Sequence, residues 1–255
     1  MYPMSMQNAH ETTQEALFCG KGVQHVLLPH LPLTVSGYEF FAHYEPAFKI
    51  GGDHLDFVEM TDGRIAAIIL DVAGKGVPAA LLKAWVSGAF RAYLQYETDP
   101  ATVLRTLNTS IRKTGGDRFV TMAIAVLDPS KHTVTVVNAG HPPPLLFRCH
   151  SGISNPSPDH TAGPPLGILE EVEYDSYQLG LQPGECLILF TDGVPDAQNV
   201  KGERLGIDGL VRHLYKDYPY SPHMLGETLI TAVVNHTRKS NQFDDIALAC
   251  FGRVV

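Results

Sequence analysis

Acidic residues at the ends of strand-like segments are the part of this sequence that could do chemistry. Asp53 follows a glycine pair, and Asp71 lies at the end of the apolar run 64–72, with a turn signal at 61–64 between them. The two flanking runs predict a β-hairpin, whose ends lie together. Two carboxylates held this close repel each other unless a proton or a cation lies between them. The spacing therefore favours a cation site.

Further aspartates occur in the same kind of place. Asp192 ends another apolar run, and Asp244 and Asp245 open the last one. A donor set of carboxylates without His or Cys selects hard cations such as Mg²⁺ and Mn²⁺ over zinc. A lone Asp at a strand end is more often a turn residue or a cap, so the argument depends on their number. Asp56 and Asp62 are interpreted in that ordinary way, as a structural polar residue and a turn former.

The motifs around these aspartates are similar to those of a known family. Residues 51–57 read GGDHLDF, residues 71–80 read DVAGKGVPAA, and residues 138–143 read NAGHPP. They resemble the PPM superfamily, the metal-dependent protein serine/threonine phosphatases related to phosphatase 2C, in its bacterial SpoIIE/RsbU-type branch. The resemblance runs from about Val23 to Phe251 with five motifs in the family's order, which is far more specific than any single motif.

The resemblance implies a two-metal centre and a reaction. It assigns Asp53, Asp71, Asp192 and Asp244 as the catalytic ligands of two divalent cations, Mn²⁺ or Mg²⁺. In the family's pattern, Asp71 bridges the ions and the backbone carbonyl of Val72 is a further ligand. The implied reaction is hydrolysis of phosphoserine or phosphothreonine on a protein substrate by a metal-activated water, without a covalent phosphoenzyme.

Other polar residues near the motifs have a less definite role. His141 stands where eukaryotic relatives often have an Asp that helps to bind a third ion, so a third metal stays an open question. His141 is interpreted as a structural or substrate-side residue, and His54 as an exposed one. Asp245 occupies a position that is Asn in eukaryotic relatives. Lys75 and Arg118 could meet a phosphate, but an isolated basic residue is usually solvated, and neither is assigned a role.

The composition describes one large acidic domain. The chain has 255 residues, 44% of them hydrophobic and 18% charged, with a formal net charge of −8. This length can bury a sizeable core. An acidic chain without a basic stripe argues against a nucleic-acid partner, because binding to phosphate backbones depends on clustered Lys and Arg. The absence of a long apolar run and of a secretion signal predicts a cytoplasmic protein without a membrane partner.

Hydrophobic periodicity predicts the elements that position the aspartates. Strands are expected over 37–44, 55–60, 64–72, 119–127, 133–138, 145–148, 172–179, 185–190 and 246–251, and helices over 78–96, 100–114, 205–215 and 222–237. Residues 150–165 have no period and are expected to form a mobile loop. The scattered cysteines argue against a zinc site or a disulfide framework, and Cys186 and Cys250 are expected in the core. The order of elements predicts an α/β fold, an antiparallel β-sandwich of two sheets flanked by pairs of α-helices.

The first residues of the chain predict a separate segment. Residues 1–32 are interpreted as a flexible N-terminus and a linker helix over 11–28, and residues 33–255 as the PPM-type phosphatase domain. In the family, a helix at this place joins sensor or partner-binding domains to the phosphatase and often helps to form dimers, so the resemblance implies an upstream sensor or regulator and a homodimer. Periodicity equally allows a helix that packs on its own domain.

The resemblance also implies a biological partner. The expected substrate is a small phosphorylated regulator, such as an anti-sigma-factor antagonist in a bacterial signalling pathway. The alternative is a catalytically weak or inactive regulatory module that binds its partner through the same fold. The complete set of aspartates argues for the enzyme.

Overall fold

A sandwich of two β-sheets is the centre of the molecule. The computed structural model describes residues 34–254 apart from 115, 160, 213, 215–217, 219 and 239. Its strands are β1 (Tyr38–Glu45), β2 (His54–Glu59), β3 (Ile65–Val72), β4 (Val120–Asp128), β5 (Thr133–Ala139), β6 (Leu145–Arg148), β7 (Gly152–Ser154), β8 (Ala162–Gly163), β9 (Ser176–Gly180), β10 (Cys186–Phe190) and β11 (Ile246–Arg253). Its helices are α1 (Val77–Tyr93), α2 (Pro100–Thr114), α3 (Gly206–Val211) and α4 (Pro222–Thr237).

The two sheets have different strand orders. One sheet runs β1-β11-β10-β6-β7, and the other runs β2-β3-β4-β5-β8, with β9 also paired to β5. Within the described strands, every pairing is antiparallel except that of β5 with β8, which is parallel. The expected antiparallel sandwich is therefore confirmed, with one short parallel addition at an edge.

Alternation along the strands creates the layers. On β3, Ile65, Ala67 and Ile69 belong to the core between the two sheets. Ile68 and Leu70 point the other way, into a second core that β3 shares with α1 and α2. The outer faces of β10 and β11 form a third core with α3 and α4. The order of layers is helix, sheet, sheet, helix, as the sequence predicts.

Side chains at two helix starts explain where those helices begin. The Asp99 carboxylate accepts the backbone N–H of Ala101 at 3.3 Å and of Thr102 at 3.1 Å before α2. The Ser221 hydroxyl accepts the N–H of Met224 at 3.3 Å at the start of α4. Both are N-caps, which satisfy donors that have no partner inside the helix. Both caps and the bounds of both helices are confirmed.

Some predicted elements are wrong or shorter. Residues 150–165 contain β7 and β8, which pair with β6 and β5, so the expected loop has regular structure at these two places. Strands of three and two residues are too short to show a period. The strand expected over 172–179 is limited to β9, and the helix expected over 205–215 ends at Val211.

Two further predictions concern the N-terminal helix and membrane-spanning segments. The helix predicted over 11–28 lies outside the described residues. In the part of the chain that is described, no helix has both the length and the apolar character that a membrane span needs.

The cysteines of the third core are ordinary packing residues. Cys186 and Cys250 are fully buried among the side chains of α3 and α4, as predicted. Burial raises the pKa of the Cys186 thiol to about 12, and that of Cys250 well above its usual range. Both thiols therefore stay protonated at neutral pH.

Candidate metal centre

The hairpin of β2 and β3 places Asp53 and Asp71 side by side. His54 pairs with Leu70, so Asp53 lies opposite Asp71 just before β2 begins. Leu55 of β2, two residues after Asp53, faces the space between the sheets, and alternation turns both aspartates towards the same space. Their carboxyl groups hydrogen-bond to each other.

The other sheet brings Asp192 and Asp244 to the same place. Phe190, near the end of β10, pairs with Leu248 near the start of β11, so the residues just outside these ends are neighbours. Gly193 allows this approach, because a Cβ at this position would overlap the backbone carbonyl oxygen of Asp245. Burial, followed by the charge of Asp244, raises the pKa of Asp192.

The five aspartates form a group that we call the acidic edge: Asp53, Asp71, Asp192, Asp244 and Asp245. Burial raises the pKa of Asp53 well above its usual range, and the charges of Asp71 and Asp245 add to this effect. Burial also raises the pKa of Asp71 to about 6; the hydrogen bond from Asp53 opposes this shift, and the charges of the other three aspartates increase it. These carboxyl groups cannot all ionise without a compensating cation.

Asp245 fixes the loop that carries Asp53. Its Oδ1 accepts the N–H of Ala47 at 2.9 Å, and its Oδ2 accepts the N–H of Asp53 at 3.2 Å. Gly51 packs directly against this carboxylate, and a Cβ there would overlap Oδ2. Because two backbone donors already occupy its oxygens, Asp245 acts first as a structural anchor of the acidic edge.

Thr191 is a buried contact of Asp53 that the sequence motifs do not indicate. The N–H of Ala247 donates to its hydroxyl oxygen at 3.1 Å, and the hydroxyl itself hydrogen-bonds to the Asp53 carboxyl group. The residue is fully buried. Leu187 and Leu189 of β10 face the space between the sheets, so the same alternation continues to Thr191 and could have identified it.

The two basic residues of the motifs have local partners. Lys75 Nζ lies 3.2 Å from Asp244 Oδ2 and donates to the Phe243 carbonyl at 2.5 Å. Arg118 donates to the Ala73 carbonyl at 2.7 Å. Lys75 therefore pairs with a member of the acidic edge, whereas Arg118 supports the backbone of the glycine loop.

The prediction that His54 is exposed is wrong. The side chain is 2% exposed, and its Nε2 lies 3.0 Å from the Ser87 hydroxyl of α1. Burial, with the charges of Lys83 and Arg91, lowers the pKa of His54 to about 3. The reason is alternation on β2: if Asp53 faces the other sheet, its neighbour His54 faces α1.

His141 has a structural role, which is one of the two roles that the sequence suggests for it. Its Nε2 lies 3.1 Å from the Phe190 carbonyl, and its Nδ1 lies 2.9 Å from the Thr121 hydroxyl. A carbonyl only accepts, so Nε2 carries the proton and Nδ1 accepts from the hydroxyl. Burial lowers the pKa of His141 to about 3, which keeps the ring neutral as a bridge between the two sheets.

The two aspartates that were interpreted as structural are confirmed in that role. Asp56 is buried on the α1 side of β2, with its Oδ2 2.7 Å from Arg91 Nε. Asp62 accepts the backbone N–H of Arg64 at 3.2 Å in the turn between β2 and β3. Neither belongs to the acidic edge.

The chemistry of the acidic edge fits hard divalent cations. Its side-chain donors are all carboxylate oxygens, the ligand type that Mg²⁺ and Mn²⁺ prefer. Gly52 also leaves room at the Val72 carbonyl, since a Cβ at Gly52 would lie 3.1 Å from that oxygen. In the part of the chain that the structure describes, no three His, Cys, Asp or Glu side chains are already arranged around one ion position. The donor types and the excess negative charge therefore support the cation site.

The layered sandwich with this acidic edge has the phosphatase-2C-type fold. It is similar to the SiaA-PP2C domain of Pseudomonas aeruginosa, with a TM-score of 0.81, 21% identity, and coverage of 98% of this chain and 99% of that domain. It is also similar to RsbX crystallised in complex with magnesium, with a TM-score of 0.65, 16% identity, and coverage of 87% of this chain and 98% of RsbX.

The chain belongs to the SpoIIE family, whose model, Stage II sporulation protein E, matches residues 61–254. The phosphoserine phosphatase RsbP of Bacillus subtilis strain 168 is 26% identical over 220 residues, which cover 84% of this chain and 52% of RsbP. The phosphoserine phosphatase RsbU of the same strain is 32% identical over 159 residues, which cover 62% of this chain and 46% of RsbU. The chain thus spans about half the length of these two relatives, and the predicted family is confirmed.

Proposed function

We propose that this chain is a metal-dependent protein serine/threonine phosphatase that hydrolyses phosphoserine or phosphothreonine on a partner protein. The observation that supports this most directly is the acidic edge, where aspartates distant in sequence meet between the sheets of a SpoIIE-family chain. The similarity to RsbP and RsbU, both named as phosphoserine phosphatases, gives the substrate class.

The proposed cofactors are two divalent cations, Mn²⁺ or Mg²⁺. Asp53, Asp71, Asp192 and Asp244 would hold them, together with the Val72 carbonyl. When bound, such ions activate water and offset negative charge on the phosphoryl oxygens. The magnesium in the RsbX complex supports this type of ion.

Other residues of the chain position a proposed metal ligand and line the space beside the proposed metal centre. Asp245 holds the backbone N–H of Asp53, and the Thr191 hydroxyl holds its carboxyl group, so both contacts limit the movement of this donor. Beside Asp244, a cleft lined by Gln198, Gln242 and other polar side chains opens from the acidic edge. The substrate polypeptide beside the phosphorylated residue would contact this cleft.

The proposal includes partners that follow from the family resemblance. The substrate would be a small phosphorylated regulator of the anti-sigma-factor-antagonist type. An upstream sensor or regulator would act through the predicted helix at 11–28, which would also support a homodimer. Residues 1–32 would form this linker and residues 33–255 the phosphatase domain, in a cytoplasmic protein.

A phosphatase assay tests this function directly. The purified chain should release phosphate from p-nitrophenyl phosphate and from a phosphoserine peptide when Mn²⁺ or Mg²⁺ is added. This release should stop when EDTA is added. A phosphotyrosine peptide of the same sequence is the matched control and should be hydrolysed much more slowly. Release of no phosphate under any of these conditions, with binding to a partner protein retained, would favour the inactive regulatory module instead.

A further inference from the structure

Helix α1 carries a lysine in a place where lysines are rarely found. Lys83 is 2% exposed, although its neighbours Leu81 and Trp85 on the same helix are 67% and 39% exposed. Its Nζ lies 5.4 Å from the centroid of the Tyr44 ring, a cation–π contact. Burial lowers the pKa of Lys83 to about 8, and the charges of Asp245 and Asp53 oppose this shift. Tyr44 also joins Lys83 to the acids in space, because the Tyr44 hydroxyl and Asp245 Oδ2 both lie against Gly51, where a Cβ would overlap them.

Lys83 is the first residue of a polar stripe on α1 that is buried at Lys83 and Ser87 and partly exposed at Arg91. Lys83, Ser87 and Arg91 are spaced four residues apart and therefore lie on one face of the helix. Ser87 contacts His54 at 3.0 Å, and Arg91 Nε contacts Asp56 at 2.7 Å. The stripe thus packs α1 along the outer face of β2. Its Lys83 end lies at the acidic edge.

We infer that Lys83 is an internal counter-charge of the acidic edge, a positioning residue whose ammonium compensates Asp53 and Asp245 when divalent cations are absent and competes with those cations when they bind. This inference rests on the proposed metal centre. The exposed Lys75 cannot do the same, because its pair with Asp244 is about half exposed and is screened by water.

Removal of the Lys83 ammonium should have opposite effects with and without divalent cations. In the metal-free protein, removing the ammonium leaves buried carboxylates without compensation, which destabilises the fold. In the metal-loaded protein, the ammonium and the cations repel each other, so removing it strengthens cation binding. A lysine that merely fills space would weaken or preserve both properties together, so the opposite signs distinguish the two roles.

The experiment compares four variants by two measurements. Lys83→Met and Lys83→Gln both remove the charge, the first at similar volume and the second with a polar side chain, and Lys83→Arg keeps the charge. Lys131→Met removes an exposed charge from the turn between β4 and β5, and so changes the net charge equally. The melting temperature is measured in metal-free buffer, and the Kd for Mn²⁺ is measured by isothermal titration calorimetry.

The expected results separate the buried lysine from its controls. Lys83→Met should melt several degrees below Lys131→Met without metal, and should bind Mn²⁺ about tenfold more tightly than the parent. Lys83→Arg and Lys131→Met should have a Kd within about threefold of the parent, since the charge near the acidic edge is unchanged.

Several outcomes would overturn the counter-charge. Lys83→Met could melt like Lys131→Met without metal, or bind Mn²⁺ no more tightly than the parent. Should both Lys83→Met and Lys83→Gln fail to fold even in saturating Mn²⁺, the lysine would be a core residue and nothing more. If the parent itself binds neither Mn²⁺ nor Mg²⁺, the proposed metal centre fails, and the metal-free melting temperatures still decide whether Lys83 compensates the acids.

Discussion

The two ends of strand β3 carry aspartates that behave in opposite ways. We call the end near the hairpin turns the turn edge, formed by Asp62, Arg64, Asp128 and Lys131. Each Asp there has a basic partner, at 2.7 Å for Arg64 with Asp62 and 2.9 Å for Lys131 with Asp128. The hydrogen bond from Arg64 lowers the pKa of Asp62, and the hydrogen bond from Ser130 lowers the pKa of Asp128.

At the acidic edge the same residue type has its pKa raised. Burial and neighbouring carboxylates raise the pKa of Asp53, Asp71 and Asp192, and carboxylates outnumber the basic groups Lys75 and Lys83. An Asp with a basic partner nearby in the chain therefore stabilises a turn. A buried Asp that faces other aspartates needs a cation from outside the chain.

The largest expected effect tests this difference with one substitution at each edge. Asp71→Asn should lower the kcat/KM for p-nitrophenyl phosphate in Mn²⁺ by more than about 100-fold, because a ligand of the proposed centre loses its charge. Asp62→Asn, the matched control at the turn edge, should stay within about twofold. An Asp71→Asn variant that keeps a tenth or more of the parent's activity would contradict the assignment of Asp71.

Two glycine-to-alanine substitutions, one at each edge, compare how closely the backbone is packed there. Gly193→Ala places a Cβ against the Asp245 carbonyl oxygen, so it should separate the ends of β10 and β11 and cost about 1–3 kcal/mol together with most of the activity. Gly63→Ala, in open space with φ +79°, should cost about 1–2 kcal/mol through backbone strain alone.

Urea unfolding and the phosphatase assay check this pair. Gly63→Ala should keep its activity in Mn²⁺ at concentrations where it is folded. Equal losses of activity in both variants would mean that the two edges are not functionally different.

The pH dependence of stability should have opposite signs at the two edges. An Asp whose folded pKa is raised binds more protons when folded, so its contribution to stability falls as pH rises between the ordinary value of 3.8 and about 6 for Asp71. Asp62 and Asp128, with lowered pKa values, contribute stability that is lost as pH falls below their ordinary range.

Melting temperatures in EDTA measure this effect. The difference between Asp71→Asn and the parent should grow in favour of the variant from pH 4 to pH 6, because Asn removes the unfavourable ionisation. A difference that is constant over this window would show that Asp71 ionises as freely in the folded chain as in the unfolded chain.

The smallest effect is expected from the turn edge alone. Asp128 accepts the N–H groups of Ser130 and Lys131, so Asp128→Ala should lower the melting temperature by about 2–4 °C. The Mn²⁺ concentration that gives half-maximal activity should not change, because the acidic edge is at the other end of β3 and β4. A shift in that concentration would mean that the two edges are coupled.

Features that depend on neighbouring residues could be predicted from the sequence. The turn signal at 61–64 and the alternation of β3 were enough to place Asp53 opposite Asp71. The caps at Asp99 and Ser221 also depend on residues only a few positions away. In each case the physical cause lies within one hairpin or one helix turn.

Features that depend on distant residues could not be predicted. Asp245 bonds to Ala47 and Asp53, 198 and 192 residues away along the chain, and no local pattern indicates such a contact. His54 was misplaced because its burial depends on α1 covering that face of β2. Alternation along β10 indicates that Thr191 faces the space between the sheets, but its contacts with Ala247 and Asp53 join residues far apart in the chain and could not be predicted.

The buried thiols of the third core have a consequence for chemical stress. Peroxides react with ionised thiols, and burial keeps the pKa of Cys186 near 12 and that of Cys250 well above its usual range. The proposed hydrolysis depends on aspartates, which such oxidants leave intact. Oxidants that inactivate cysteine-dependent phosphatases should therefore leave the proposed phosphatase activity of this chain unchanged.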